Sequence, residues 1–188
     1  MKSGSYQVFV LLAGAALLSA CAGRHGGRHQ QQQQDMLQLP DAPVTLQVQP
    51  GQILMLAAKG SGVQIYQCAT DPSDSSRYKW IFKAPEAELT SARGRSLGKH
   101  YAGPTWEAND GSKVVAQVKA SDKVDDPAAI PWLLLNATSN SGAGVFGRTN
   151  SIQRLFTAGG KAPQDGCDSK HQGQETRVSY TAQYYFYN

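Results

Sequence analysis

The sequence predicts an all-β domain, a single antiparallel β-sandwich or barrel of about eight to ten strands with few or no long helices. Short runs rich in β-branched and aromatic residues recur between glycine- and asparagine-containing turn signals. No stretch shows the apolar period of a long amphipathic helix. The C-terminal run ETRVSYTAQYYFYN alternates, with Val178, Tyr180, Ala182, Tyr184 and Phe186 on one face.

Composition is that of one packed domain of ordinary size. The chain has 188 residues, of which 40% are apolar and 17% charged. The formal net charge is +4, but the basic residues are scattered among acidic ones. Because nucleic-acid surfaces usually show a clustered basic stripe, we expect no nucleic-acid partner.

Residues 1–20 are typical of a lipoprotein signal peptide. Lys2 precedes an apolar run from Val8 to Leu18 that is too short to span a bilayer. The run ends in Leu18-Ser19-Ala20-Cys21, which resembles the bacterial lipobox, where the peptide is cut before a cysteine whose thiol is then diacylated. We expect a lipid on Cys21 that anchors the protein in the cell envelope, and Ala22 favours the outer membrane. The alternative is an ordinary secretory signal cut nearby.

Residues 21–40 are predicted to be the lipidated cysteine and a flexible Gly- and Gln-rich tether, which leaves 41–188 as the β-domain. The tether contains too little apolar surface to offset its chain entropy. His25 and His29 could bind a soft metal, but solvated low-complexity sequence explains them more simply. We expect no metal and no cofactor.

The remaining cysteines, Cys68 and Cys167, form an even pair in an exported chain, which favours a disulfide. Two free thiols or a metal pair are the alternatives, but no CxxC motif supports them.

The strand candidates begin with QILMLAAKG and GVQIYQCAT, which flank Gly60-Ser61-Gly62, a hairpin-like turn. In the second of them, Gln64, Tyr66 and Cys68 share a face. PEAEL could open a short helix at Pro85. Asp110-Gly111 predicts a hairpin. Further candidates are YKWIFKA, ELTSARGRSLGKHY, TWEANDGSKVVAQVKASDKV, IPWLLLNAT and FGRTNSIQRLFT, of which the last could also be a helix.

The segment from Gly142 to Gly147 matches GxGxxG, the pattern of dinucleotide-binding loops. Such a site needs the glycines to end a strand and open a helix. Asn and Ser precede this segment, and RTNSIQRLFT is a poor helix start. We therefore expect a flexible glycine loop and no dinucleotide.

Several short motifs recur along the chain in a recognisable order and spacing. They are GVQIYQC (62–68), PEA (85–87), HYAGPTWE (100–107), DGSKV (110–114), IPWLL (130–134), IQR (152–154), GG and AP (159–163), GC (166–167), and YTA with YYFY (180–187). Together they resemble the secreted bacterial and fungal family called domain of unknown function 3455, over about residues 40–188. The resemblance implies a secreted all-β domain, and it implies no established activity.

The stretch GKHYAGPTWEANDGSKV (98–114) holds the candidate site residues. His100 could act as acid or base near neutral pH, with Glu107 or Asp110 orienting it or sharing its proton. Alternatively His100, Tyr101, Trp106 and Glu107 form a ligand-binding surface, in which aromatic rings stack on a planar ligand. The third interpretation is a structural corner, with Trp106 as an apolar anchor.

Three functions follow from these interpretations. The first is a non-enzymatic envelope lipoprotein whose β-domain binds a ligand or partner, such as a glycan or a protein of the envelope, with Trp80 or Trp132 as further contacts. The second is a hydrolase of polysaccharide or another envelope polymer, which requires His100 to meet Glu107 or Asp110 in an open cleft. The third is a purely structural module, which predicts no concave pocket.

Overall fold

A computed structural model describes residues 38–188. The predicted signal peptide, Cys21, His25 and His29 lie outside the described residues. No helix among residues 38–188 is long and apolar enough to cross a membrane.

Eight antiparallel strands form one closed barrel. Each strand pairs with the next along the chain, and the last strand returns to pair with the first. The all-β prediction is thus confirmed, and of its two architectures the barrel is the one formed. The strands are β1 (Leu54–Asp71), β2 (Asp74–Thr90), β3 (Ser96–Tyr101), β4 (Thr105–Ala108), β5 (Lys113–Asp122), β6 (Trp132–Ser141), β7 (Ser151–Gly159) and β8 (Glu175–Tyr187).

The core fills the inside of the barrel, because successive side chains of a strand point to opposite faces. The alternation predicted for β8 is found here, since Tyr180, Ala182, Tyr184 and Phe186 all belong to the main core cluster. They pack with inward residues of the other strands, among them Ala58, Leu89, Val114, Leu135 and Ile152.

A short segment before β1 covers part of the outer surface. It contains a 3-10 helix at Val44–Leu46. Leu46 is fully buried against Leu134 and Leu155, which point outward from β6 and β7. The Gln153 side chain donates a hydrogen bond of 2.7 Å to the Leu46 carbonyl. The second apolar cluster therefore attaches this segment to the outside of the barrel.

The prediction of a hairpin at Gly60-Ser61-Gly62 is wrong, because β1 runs unbroken through these residues. The two glycines serve close packing instead. A Cβ at Gly60 would collide with the ring of Tyr184, and a Cβ at Gly62 would collide with the backbone of β2 at Glu86. The glycines that predicted a turn are therefore required by close packing, against the Tyr184 ring and against the backbone of β2.

The short helix considered at PEAEL is also not formed, since β2 continues through Pro85. Pro85 pairs with Gln64 next to a β-bulge, a position where proline is tolerated in a sheet. The hairpin predicted at Asp110-Gly111 is confirmed as the connection between β4 and β5. The disulfide is confirmed as well, with Cys68 in β1 bonded to Cys167 in the connection between β7 and β8.

The two ends of the barrel differ. At the closed end lie the connections 91–95, 109–112 and 142–150, and the glycine loop leads into a 3-10 helix at Val145–Arg148. Phe146 of this helix enters the barrel and packs on Phe186 at a ring distance of 4.6 Å. At the open end lie the connections 72–73, 102–104, 123–131 and 160–174.

Candidate functional site

A cavity of about 320 Å³ occupies the open end of the barrel. Its walls include Phe82, Pro85, Val118, Leu133 and Leu135. Phe82 and Val118 remain 52% and 54% exposed. The volume lies at the lower end of the range typical of ligand sites, and mostly apolar walls are also typical of such sites.

His100 and Trp106 line the inner part of this cavity. They are direct cross-strand partners on β3 and β4, so their side chains point to the same side of the sheet. The rings stack with centroids 4.2 Å apart and an interplanar angle of 14°. The ring of Tyr184, which needs the space left by Gly60, packs against the His100 ring in a T-shaped arrangement with centroids 5.3 Å apart.

His100 is neutral in this setting. Its side chain is buried, and Nδ1 lies 2.9 Å from the Thr105 carbonyl oxygen. Since a carbonyl only accepts, Nδ1 must carry the proton, and Nε2 is left as the acceptor. Burial lowers the pKa of His100 to about 3, the Thr105 hydrogen bond opposes this shift, and the Arg154 cation adds to it. Such a weak base is poorly matched to proton transfer near neutral pH.

Two buried donors at the cavity have no hydrogen-bond partner within residues 38–188. They are Nε1 of Trp106 and Nε2 of Gln64, on side chains that are 1% and 2% exposed. Both residues line the cavity. An unpaired buried donor costs about 1–3 kcal/mol, so native proteins contain few of them. Two such donors at one cavity indicate a place where a bound molecule could supply acceptors.

Arg154, on β7, contributes a positive charge to the same cavity. Its Nη2 and Nε donate to the Pro131 carbonyl oxygen at 2.8 and 3.3 Å. Among the described residues it makes no ion pair, whereas Lys83, also at the cavity, pairs with Glu175. Burial raises the pKa of Tyr184, and the nearby Arg154 guanidinium opposes that rise.

Tyr101 and Glu107 lie on the other side of the sheet from His100 and Trp106. The Tyr101 hydroxyl donates to Glu107 Oε2 at 2.8 Å, and Lys113 and Lys99 lie 3.3 and 3.9 Å from the same oxygen. The Tyr101 hydrogen bond and these lysines hold the pKa of Glu107 below its usual range. This outer-face ion cluster explains both residues without a ligand.

The structure brings His100 and Trp106 together but does not assemble the His100–Glu107 pair that the hydrolase hypothesis requires. The register sets Glu107 opposite Lys99, one residue away from His100 and on the opposite face. Asp110 lies in the β4–β5 turn, where its carboxylate accepts from the Ser112 backbone N–H at 2.8 Å.

The other two tryptophans lie away from the cavity. Trp80 Nε1 donates to the Asp165 carbonyl at 2.9 Å, and Trp132 belongs to the outer cluster beneath Phe156. Neither side chain lines the cavity.

Sequence reasoning did not select Gln64, Phe82, Arg154 or Tyr184 as site residues. A signal for two of them was present. Gln64 shares a strand face with Tyr66, and Arg154 follows Ile152 by two residues, so each is a polar side chain at an inward position. A polar residue on the core side of a strand needs an explanation, which the cavity now supplies.

A larger depression of about 530 Å³ lies on the outer surface between residues 38–41 and the strands beside them. Lys59, Gln183 and Tyr185 line it, and none of the buried unpaired donors in the described part of the chain borders it. It has the character of surface packing, so the cavity at the open end is the better candidate despite its smaller volume.

No curated protein and no solved structure matches the chain. The profile of the family described as Protein of unknown function (DUF3455) matches residues 49–188. This match covers all eight strands and both disulfide cysteines. The chain belongs to the DUF3455 family.

Proposed function

We propose that the barrel is a non-enzymatic binding domain that takes a small, mostly apolar ligand into the open end. The observation that supports this most strongly is the apolar-walled cavity bordered by the unpaired N–H groups of Trp106 and Gln64. The apolar walls would contribute affinity through buried area, and the few polar groups would orient the ligand. A volume of 320 Å³, at a share of about 30 Å³ per water-sized group, suits roughly ten non-hydrogen atoms.

This proposal is favoured over the two alternatives by the same geometry. A hydrolase would need a proton-transfer pair, but the neutral, weakly basic His100 and the outward Glu107 do not meet. A purely structural module gives no reason for an open cavity bordered by a half-exposed aromatic side chain.

We also propose that the domain is held at the outer membrane by a lipid on Cys21. The sequence Leu18-Ser19-Ala20-Cys21 at the end of an apolar run supports this. Growth with a labelled fatty acid should label the wild-type protein but not Cys21→Ser, and equal labelling of both would contradict the proposal.

Titration with small amphiphiles, followed by NMR of the indole N–H groups, tests the binding proposal. The chain has three tryptophans, and only Trp106 lines the cavity. Octanoate, 1-octanol, 3-phenylpropanoate and 3-phenyl-1-propanol, each of roughly ten non-hydrogen atoms, are suitable probes. At least one should shift the Trp106 indole resonance in a saturable manner while the Trp80 and Trp132 resonances stay in place.

Glu107→Gln provides the control, because it removes a charge from the outer face only. It should leave the titration unchanged. If no probe of the panel moves the Trp106 resonance, the cavity does not bind such molecules and the proposal fails.

A further inference from the structure

The cavity has one cation without a counter-charge among the described residues. No aspartate or glutamate lines it, and His100 is neutral there. Glu175 neutralises Lys83, whereas the groups beside Arg154, the Pro131 carbonyl oxygen and the Tyr184 hydroxyl, have no net charge. With Glu175 counted against Lys83, one positive charge at the cavity is uncompensated, and a partly buried cation favours an anionic partner.

The geometry of Arg154 leaves it able to bind such a partner. A guanidinium has five N–H donors, and the hydrogen bonds to Pro131 use Nε and one position on Nη2. The Nη1 and Nη2 edge keeps a pair of roughly parallel donors. This fork matches the two oxygens of a carboxylate. Holding the guanidinium on Pro131 also reduces the side-chain entropy that binding would otherwise cost.

The remaining lining determines the rest of the ligand. Phe82, Val118 and Leu133 offer apolar contacts but no second uncompensated cation. A group with two or more negative charges would thus be left partly unpaired. The Gln64 side chain lines the same cavity and adds one uncharged polar group to its wall.

We propose that the ligand is a small apolar monocarboxylate, with its carboxylate on the Arg154 guanidinium and its hydrocarbon part against Phe82, Val118 and Leu133. This inference rests on the proposed binding function and specifies the ligand class. Because of its charge, such a carboxylate should bind more tightly than the neutral alcohol of the same chain length.

Comparison of octanoate with 1-octanol at neutral pH tests the proposal in the full chain. The two probes have the same chain length and differ in the charged head. Octanoate should bind the wild type at least about tenfold more tightly than 1-octanol, as expected for hydrogen bonds to a charged group. This preference is measured without any substitution, so it does not depend on the folding of a variant.

Arg154→Gln should remove that preference. It keeps a donor for the Pro131 carbonyl but loses the charge, so octanoate affinity should fall at least about tenfold while 1-octanol affinity changes by less than about threefold. Arg154→Lys retains the charge without the fork and should give an intermediate octanoate affinity. Arg93→Gln removes an equal charge from the exposed β2–β3 turn at the closed end and should behave as wild type.

The outcomes separate this inference from the function on which it rests. If octanoate and 1-octanol bind wild type equally well, or if Arg154→Gln keeps the full preference, the monocarboxylate assignment is overturned and the binding function stands. If neither octanoate nor 1-octanol binds, and the phenylpropyl pair also fails, both are overturned.

Discussion

Each end of the barrel has a phenylalanine, but the one at the closed end is buried and the one at the open end is half exposed. At the closed end, Phe146 is inserted from a 3-10 helix and is 1% exposed. At the open end, Phe82 stands 52% exposed beside a cavity. A protein that can fill one end of its barrel could fill the other, and the proposed binding function gives a reason why the open end is left unfilled.

Truncating the two phenylalanines should give the largest difference between the ends, measured as the loss in free energy of unfolding. Phe146→Ala removes a fully buried ring from the core and should lower the free energy of unfolding by about 3–5 kcal/mol. Phe82→Ala removes a half-exposed ring whose centroid lies 5.7 Å from that of Tyr66. It should lower the free energy of unfolding by about 1 kcal/mol or less. Chemical denaturation of both variants measures this. Equal losses would mean that the open end is part of the core.

The protonation of His100 should have a smaller effect on stability, one that is specific to the cavity. The folded pKa of about 3 lies below the ordinary value of 6.5, so between these values the unfolded state binds the extra proton. Stability must then fall as the pH is lowered through this window, by up to about 1.4 kcal/mol per pH unit. Between pH 7 and pH 5, we expect this one residue to lower the free energy of unfolding by about 2 kcal/mol.

His100→Gln should remove that part of the pH dependence, as measured by denaturation at pH 7 and pH 5. The carboxylates with lowered pKa, among them Glu107 and Asp110, lose their contributions at more acidic pH. His171→Gln, at a half-exposed histidine that pairs with Asp168, provides the comparison. An unchanged slope in His100→Gln would show that the side chain is not held neutral by burial.

The sequence predicted the strands well where local signals were sufficient. The alternation of β8, the Asp110-Gly111 turn and the even pair of cysteines each depend on neighbouring residues or on simple chemistry. The Gly60-Ser61-Gly62 prediction failed because a glycine required by tertiary crowding looks the same as a glycine required by a turn. Residues distant along the chain distinguish the two, namely Tyr184 at Gly60 and Glu86 at Gly62.

The site was predicted only in part, since His100 and Trp106 were selected together with residues that face away from them. Tyr101 pairs with Thr105 across the Gly103-Pro104 turn, which makes Trp106 the partner of His100 and leaves Glu107 on the other face. A one-residue change of register would exchange these faces. Arg154 and Tyr184 reach the cavity only because the barrel closes, and closure depends on long-range pairing that spacing does not encode.

The most direct test of the central claim is an octanoate titration of the indole resonances in two valine variants. Val118→Phe adds bulk at the cavity entrance, whereas Val44→Phe adds the same bulk to a side chain that is 84% exposed on the segment before β1. We predict that Trp106 responds in wild type and Val44→Phe, and that Val118→Phe weakens the response at least about tenfold. An equal response in all three proteins, or a response of Trp80 or Trp132 alone, would contradict a ligand site at the open end.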